Sequence, residues 1–321
     1  DSSTKKYKLK KEFRYALIGI VIILIGIFVG RSIYKDYVYK NSYEYKLENH
    51  GYKDDEVKLL IKELDNKKLD ELLKTKKDDT IISFLKEKYY IKKNLQRYLD
   101  YYEDHQKEST KDIVAYVNVN ADYDTYEHDI NSDVSLNELV ICNKYYKLSS
   151  DYVPEDIVDM KSKYYYGDVQ KVRKVAYDAF IDMWNAADKA GYYLIVNSSY
   201  RTYQEQEEVY NSYKDSYGEK EADTIASRPG YSEHQTGLAL DIFSKDNTSI
   251  KTFKDSEAYK WLKDNSYKYG FILRYPEGKE NLTQYNSEAW HYRYVGKKAA
   301  KYIYDNDITY DEYYAYFLAQ Q

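Results

Sequence analysis

The chain has 321 residues, 43% of them hydrophobic and 32% charged, long enough to bury a sizeable core and to hold more than one unit. Its 49 basic and 54 acidic residues leave a net charge of −5, which offers no single-sign field for nucleic acid. One cysteine, Cys142, excludes an intramolecular disulfide.

Six basic residues, Lys5, Lys6, Lys8, Lys10, Lys11 and Arg14, crowd the N-terminal side of an uncharged apolar run from Ala16 to Gly30. Counted from Tyr15 to Tyr34, the segment matches the roughly 20 residues that span a bilayer, with Arg31 placed to snorkel. The run exceeds the apolar stretch of a secretory signal and no Ala-x-Ala follows it, which favours an uncleaved anchor. The positive-inside rule then puts residues 1–14 in the cytoplasm and everything after Tyr34 outside the cell membrane.

Residues 35–50 are polar and Tyr-rich, as suits a short stalk. From Asp54 to Tyr102 the spacing is helical, with apolar stripes at Val57, Leu60, Ile61 and Leu64, at Leu69, Leu72 and Leu73, and at Ile81, Leu85 and Tyr89. Charged turns are expected at Asp65–Lys68 and Lys76–Asp79. This region, taken as 35–110, reads as a helical spacer, a dimerisation element or a wall-binding module.

The second part, 111–321, opens with strand-like runs at Ile113–Val117 and Leu139–Cys142. Val172, Val175, Ala176, Ala179, Phe180, Met183 and Ala187 trace a long amphipathic helix ending at Gly191, followed by a buried strand at Tyr193–Val196. Further helices are expected over Gln204–Tyr217 and Ser256–Tyr269, each closed by a glycine. Helices and strands that mix without regular alternation indicate an α+β fold around a small sheet.

Two stretches carry the chemistry. Leu238–Phe243 reads as a buried strand that turns Asp241 to the face opposite Leu240 and Ile242, with His234 just before it. Trp290–Val295 alternates so that His291 points inward, with Glu288 at its start. Two imidazoles and a carboxylate leave a tetrahedral Zn²⁺ one open position, the mark of a catalytic rather than a closed structural site. His50, His105 and His128 lack partners at ligand spacing, and no phosphate loop, nucleotide fingerprint or serine-nucleophile motif is present.

The pattern Ser232-x-His234-x-x-Gly237-x-Ala239-x-Asp241 followed by Glu288-x-x-His291 resembles the zinc D-alanyl-D-alanine carboxypeptidases of the VanY type, bacterial cell-wall enzymes with the Hedgehog/DD-peptidase fold. Ser198-Ser199-Tyr200-Arg201-Thr202 through Gln206 is similar to that family's Ser-Gly-Tyr-Arg-Ser-x-x-x-Gln segment, with Ser199 in place of Gly and Thr202 in place of Ser. Ala226–Tyr231 is similar to the family's lead-in to the first ligand, and the likeness covers about residues 110–300. It implies a small, mainly antiparallel sheet flanked by helices. It further implies zinc held by His234, Asp241 and His291, water activated by Glu288, a carbonyl polarised by Arg201, and a peptide held by Gln206 and Ser232. The implied substrate is the stem peptide of peptidoglycan, cut to release the terminal D-Ala. The motifs leave open an L,D cut of tetrapeptide stems, an endopeptidase cut in the cross-bridge, and a non-catalytic wall-binding module with structural zinc. A purely structural site has no use for the unligated Glu288, which favours catalysis.

Overall fold

A computed structural model describes residues 10–128 and 130–319. Lys5, Lys6 and Lys8 of the basic cluster lie outside the described residues. The chain divides into two compact units at Lys92/Lys93.

In the first unit, helix α1 (Lys11–Asn41) holds the whole apolar run, and none of its residues is buried. It is long and apolar enough to cross a bilayer. Four short helices follow, α2 (Tyr43–Asn49), α3 (Asp54–Glu63), α4 (Asn66–Lys74) and α5 (Asp79–Leu85). The expected stripes bury Val57 and Leu60 of α3, Leu69 and Leu72 of α4, and Ile81 and Leu85 of α5. Asp65–Lys68 is not a turn: the Asp65 carboxylate accepts the Lys68 amide at 2.8 Å, so Asp65 caps α4 and the next three residues form its first turn.

The second unit opens with α6 (Leu95–Asp104) and α7 (Thr110–Asn118). Ile113–Val117, expected as a strand, is therefore helical. Ile113, Val114 and Val117 are its buried face, and Ser109 accepts the Asp112 amide as its cap. The β-branched residues mimic a strand, but their spacing and the Ser cap favour one helical face. The second expected strand is also absent: a 3₁₀ turn over Val134–Leu139 leads into Val140–Cys142, which is buried without strand partners. The Arg293 guanidinium, not a neighbouring strand, takes the carbonyls of Glu138 and Val140.

Two short strand pairs come next, β1 (Ile130–Asn131) with β2 (Tyr146–Lys147) and β3 (Ile157–Asp159) with β4 (Lys171–Arg173). Helix α8 (Lys174–Lys189) follows, then β5 (Leu194–Ser198), α9 (Tyr203–Tyr217) and α10 (Glu219–Ile225). The remaining elements are β6 (Ala239–Ser244), α11 (Glu257–Asn265), β7 (Phe271–Tyr275), α12 (Glu280–Thr283), β8 (Glu288–Tyr294), α13 (Lys297–Asn306) and α14 (Tyr310–Phe317).

Four of these strands form one antiparallel sheet in the order β5-β6-β8-β7. One face packs on α8: Phe180, Met183 and Ala187 meet Leu194, Val196, Leu240, Ile242 and Tyr292. Each fully buried large apolar side chain there stabilises the fold by about 1.5–3 kcal/mol relative to its exposed state. The period of two along a strand turns Asp241, His291 and Arg293 to the other face. An α+β architecture with a small antiparallel sheet is thus what the mixed periodicities produce.

Candidate active site

The site is assembled by strand register. Asp241 on β6 lies directly opposite His291 on β8 and also opposite Ser198 on β5, while Glu288 on β8 lies opposite Tyr275 on β7. Directly opposed residues place their Cβ atoms about 5 Å apart on one face, so the sheet itself brings ligand to ligand.

His234 arrives from a 3₁₀ turn, Glu233–Thr236, whose N-cap Ser232 accepts the His234 amide at 3.3 Å. Gly237 closes that turn at φ +66°, where a Cβ would sit 2.7 Å from Ile157 Cδ1 and 2.8 Å from Arg173 Cγ. Only glycine fits that left-handed, crowded position.

His234 Nδ1 donates to the Ser199 carbonyl at 2.7 Å, which leaves Nε2 facing Asp241 Oδ2 at 3.6 Å. His291 Nδ1 faces Asp241 Oδ1 at 3.1 Å and Glu288 Oε2 at 3.7 Å. Donor atoms of His234, Asp241 and His291 lie within 4.8 Å of one another. Two imidazole nitrogens and a carboxylate oxygen are a donor set suited to zinc, and the hydrogen bond on His234 Nδ1 already fixes which nitrogen is free to bind.

The electrostatics fit a cation. Burial opposes charge on His291, yet the hydrogen bonds to Asp241 and Glu233 and the nearby carboxylates raise its pKa to about 10. Burial dominates at His234, aided by the Arg201 charge, and lowers its pKa to about 4. Burial raises Glu288 to about 7, with Asp241 and Glu233 adding to the rise and His291 and Arg201 opposing it. Positive charge is thus drawn to the His291–Asp241 pair, and Glu288 is poised near neutral pH.

Arg201 follows β5. Its guanidinium donates to Gln206 Oε1 at 2.7 Å and to Ser198 Oγ at 3.0 Å, and its amide donates to the His234 carbonyl at 3.1 Å. Gln206 lines the cleft, but its amide nitrogen donates to the Ser227 carbonyl at 2.7 Å, so both ends of the side chain are engaged in aiming Arg201. Ser199, in the place of the glycine of similar sequences, is not at positive φ. Its hydroxyl accepts the Lys171 amide at 3.1 Å and donates to Gln170 Oε1 at 2.8 Å, so the substitution adds hydrogen bonds without backbone strain.

All seven sequence-predicted residues, Arg201, Gln206, Ser232, His234, Asp241, Glu288 and His291, line one cleft of about 330 Å³. Val209, Tyr213, Ile250, Phe243 and Trp290 supply its apolar walls. The histidines without ligand spacing lie elsewhere; His105 stacks on Tyr101 and His128 on Tyr123.

A family model described as "VanY: D-alanyl-D-alanine carboxypeptidase" matches residues 169–297. The candidate carboxypeptidase YodJ of Bacillus subtilis (strain 168) is 46% identical over 187 residues, covering 56% of this chain and 67% of that one. The chain belongs to the VanY-type D-alanyl-D-alanine carboxypeptidase family. A member from Enterococcus faecalis (strain ATCC 700802 / V583), named D-alanyl-D-alanine carboxypeptidase, is 41% identical over 141 residues. That match covers 41% of this chain and about half, 51%, of the relative. A solved structure of the LD-carboxypeptidase LdcB is 42% identical with a TM-score of 0.55, covering 60% of this chain and 95% of that one.

The VanY-type motifs did not reveal one set of residues. Glu233, next to His234, is fully buried and bonded to Arg274 Nε at 2.7 Å, Arg293 Nη1 at 3.0 Å and His291 Nε2 at 3.3 Å. The available signals were an arginine inside the apolar strand Phe271–Tyr275 and another two residues after His291, on the same strand face. Neither signal names a partner.

Proposed function

We propose that this chain is a membrane-anchored zinc D-alanyl-D-alanine carboxypeptidase that removes the terminal D-Ala from peptidoglycan stem peptides. The observation that carries this reading is the convergence, in one cleft, of three metal-ligand side chains with an unligated carboxylate, Glu288, and a fixed guanidinium, Arg201.

His234 Nε2, His291 Nδ1 and the Asp241 carboxylate would hold the ion. When bound, zinc would supply a Lewis acid that polarises the peptide carbonyl and acidifies the attacking water. Glu288 takes the proton from that water and returns it to the departing amine, a task suited to a carboxylate whose pKa is about 7. Arg201, held by Gln206 and Ser198, presents a permanent positive charge to the oxygen that becomes negative. Ser232, whose hydroxyl accepts the His234 amide, lines the cleft beside the first ligand and would meet the peptide through its hydroxyl proton, whereas Gln206 would act on the peptide through Arg201.

The anchor is α1, with Lys10, Lys11 and Arg14 at its N-terminal end. By the positive-inside rule the N-terminus is cytoplasmic and residues beyond the span, spacer and catalytic parts alike, are outside the cell.

A second reading, an L,D cut of tetrapeptide stems, is favoured by the likeness to LdcB. Release of free D-Ala by the full chain in detergent, from pentapeptide and tetrapeptide stems in parallel, separates the two. Chelator-sensitive release that returns with zinc supports the metallopeptidase, and the preferred stem assigns the stereochemistry. Bound zinc with no release from either stem would overturn carboxypeptidase activity.

A further inference from the structure

Glu233 is adjacent to a metal ligand in sequence but has none of a ligand's freedom. Its side chain is fully buried, with Oε1 taken by Arg274 Nε at 2.7 Å and Arg293 Nη1 at 3.0 Å and Oε2 facing His291 Nε2 at 3.3 Å. The two arginines are fixed in turn. Arg274 makes a bidentate pair with Asp311 of α14, at 2.6 and 2.9 Å, and Asp311 also accepts Asn143 Nδ2 at 2.7 Å. Arg293 donates to the carbonyls of Glu138 and Val140. Two carboxylates and two guanidiniums make the cluster neutral, and Asp311, Asn143, Glu138 and Val140 all lie outside the residues that match the family model.

Free of metal, His291 can give one N–H to Asp241 and the other to Glu233; an imidazole that ligates a metal through one nitrogen keeps a single N–H on the other. His291 meets Glu233 at Nε2 and meets Asp241 and Glu288 at Nδ1, so a metal that takes Nδ1 beside Asp241 leaves the one N–H on Nε2, where the carboxylate clamped by both arginines accepts it. We infer that Glu233 is a positioning residue. With a metal bound, it holds the remaining proton of His291 on Nε2 and thereby leaves the Nδ1 lone pair for the ion beside Asp241 and His234 Nε2. His234 is set in the opposite tautomer by the Ser199 carbonyl, so the two histidines present different nitrogens to one ion. The support of the metal site therefore reaches beyond the matched domain, through Arg274 to α14 and through Arg293 to the segment before β2. This inference rests on the zinc reading of the site.

The test uses the full chain in detergent with ¹⁵N-labelled histidine. In the zinc-loaded wild type, imidazole ¹⁵N–¹H correlations are expected to show His291 protonated at Nε2 and His234 protonated at Nδ1. Metal affinity, read by competition with a chromophoric chelator, is expected to fall about 10- to 100-fold in Glu233→Gln, the effect typical of losing an outer-shell partner. Asp122→Asn is the control for lost stability alone, because its ion pair with Arg97 shares no residue with the Glu233 cluster. Its zinc affinity should stay within about twofold of wild type, as expected for an independent site. Coordination of His291 through Nε2, wild-type affinity in Glu233→Gln, or an equal loss in Asp122→Asn would overturn the inference. The tautomer measurement needs only the wild type, so it decides even if Glu233→Gln does not fold. A wild type that binds no zinc overturns the metal reading itself, a different and recognisable failure.

Discussion

Replacing Glu288 by glutamine keeps the shape of the side chain and removes its charge and its basicity, and the two losses should act in opposite directions. Burial raises the Glu288 pKa from 4.5 to about 7. Between those values the native metal-free protein holds a proton that the unfolded chain has released, so stability falls as pH rises from about 4.5 to about 7 and stays lower above it. At 1.36 kcal/mol per pH unit the penalty reaches about 3 kcal/mol by pH 8. This is a ceiling, because the side chain keeps 21% exposure at the cleft and also helps to hold His291 in its charged form. Glu288→Gln should therefore match the wild type near pH 4.5 and exceed it by up to about 3 kcal/mol at pH 8, read by denaturant unfolding in chelator. The same variant should bind zinc and lose about 10²- to 10⁴-fold in D-Ala release, the usual contribution of a positioned base. A variant that keeps turnover, or that is less stable than wild type at pH 8, would refute the assignment of Glu288 as a base whose pKa is raised by burial.

Arg201→Ala should leave zinc stoichiometry unchanged and lower kcat by about 10²- to 10³-fold, the cost of one oxyanion donor; equal loss of zinc would mean that the residue is structural. Gly237→Ala forces a Cβ to within 2.7 Å of Ile157 Cδ1 at φ +66°, and should lower the melting temperature and weaken zinc binding together. Zinc at one hundred times its Kd should stabilise the wild type by about 2.7 kcal/mol, and Asp241→Ala should abolish that shift in a thermal melt with and without metal. Asp311→Ala leaves Arg274 with Glu233 as its remaining carboxylate partner, and should destabilise the fold by about 3 kcal/mol or more in denaturant unfolding.

Much of this molecule was legible in one dimension because its signals are local. The apolar run of α1, the stripe of α8, the period-two faces of β6 and β8, and the capping glycines are properties of a few consecutive residues, and so are the motifs that contain the ligands. Local signals also misled: Ile113–Val117 has the composition of a strand and the spacing of a helix, and Val140–Cys142 is buried against an arginine from β8 rather than in a sheet.

The sequence by itself determined the donor types, the membrane-length apolar segment and the faces that had to be buried, since hydrophobic periodicity and ligand chemistry are intrinsic to residues. Only the tertiary structure decided the rest: which nitrogen of each histidine faces Asp241, that Gln206 is spent on Arg201, and that Glu233, Arg274, Arg293 and Asp311 form one neutral cluster. The histidine settings and the cluster depend on β-strand register and on contacts between residues 35 to 60 positions apart, such as His234 with Ser199 and Arg293 with Glu233. The Gln206–Arg201 bond, though it spans only 5 positions, depends on the direction in which β5 hands the chain to α9. A charge or an imidazole declares its capacity to bond in the sequence, but its partner is fixed by distance and direction in the folded chain.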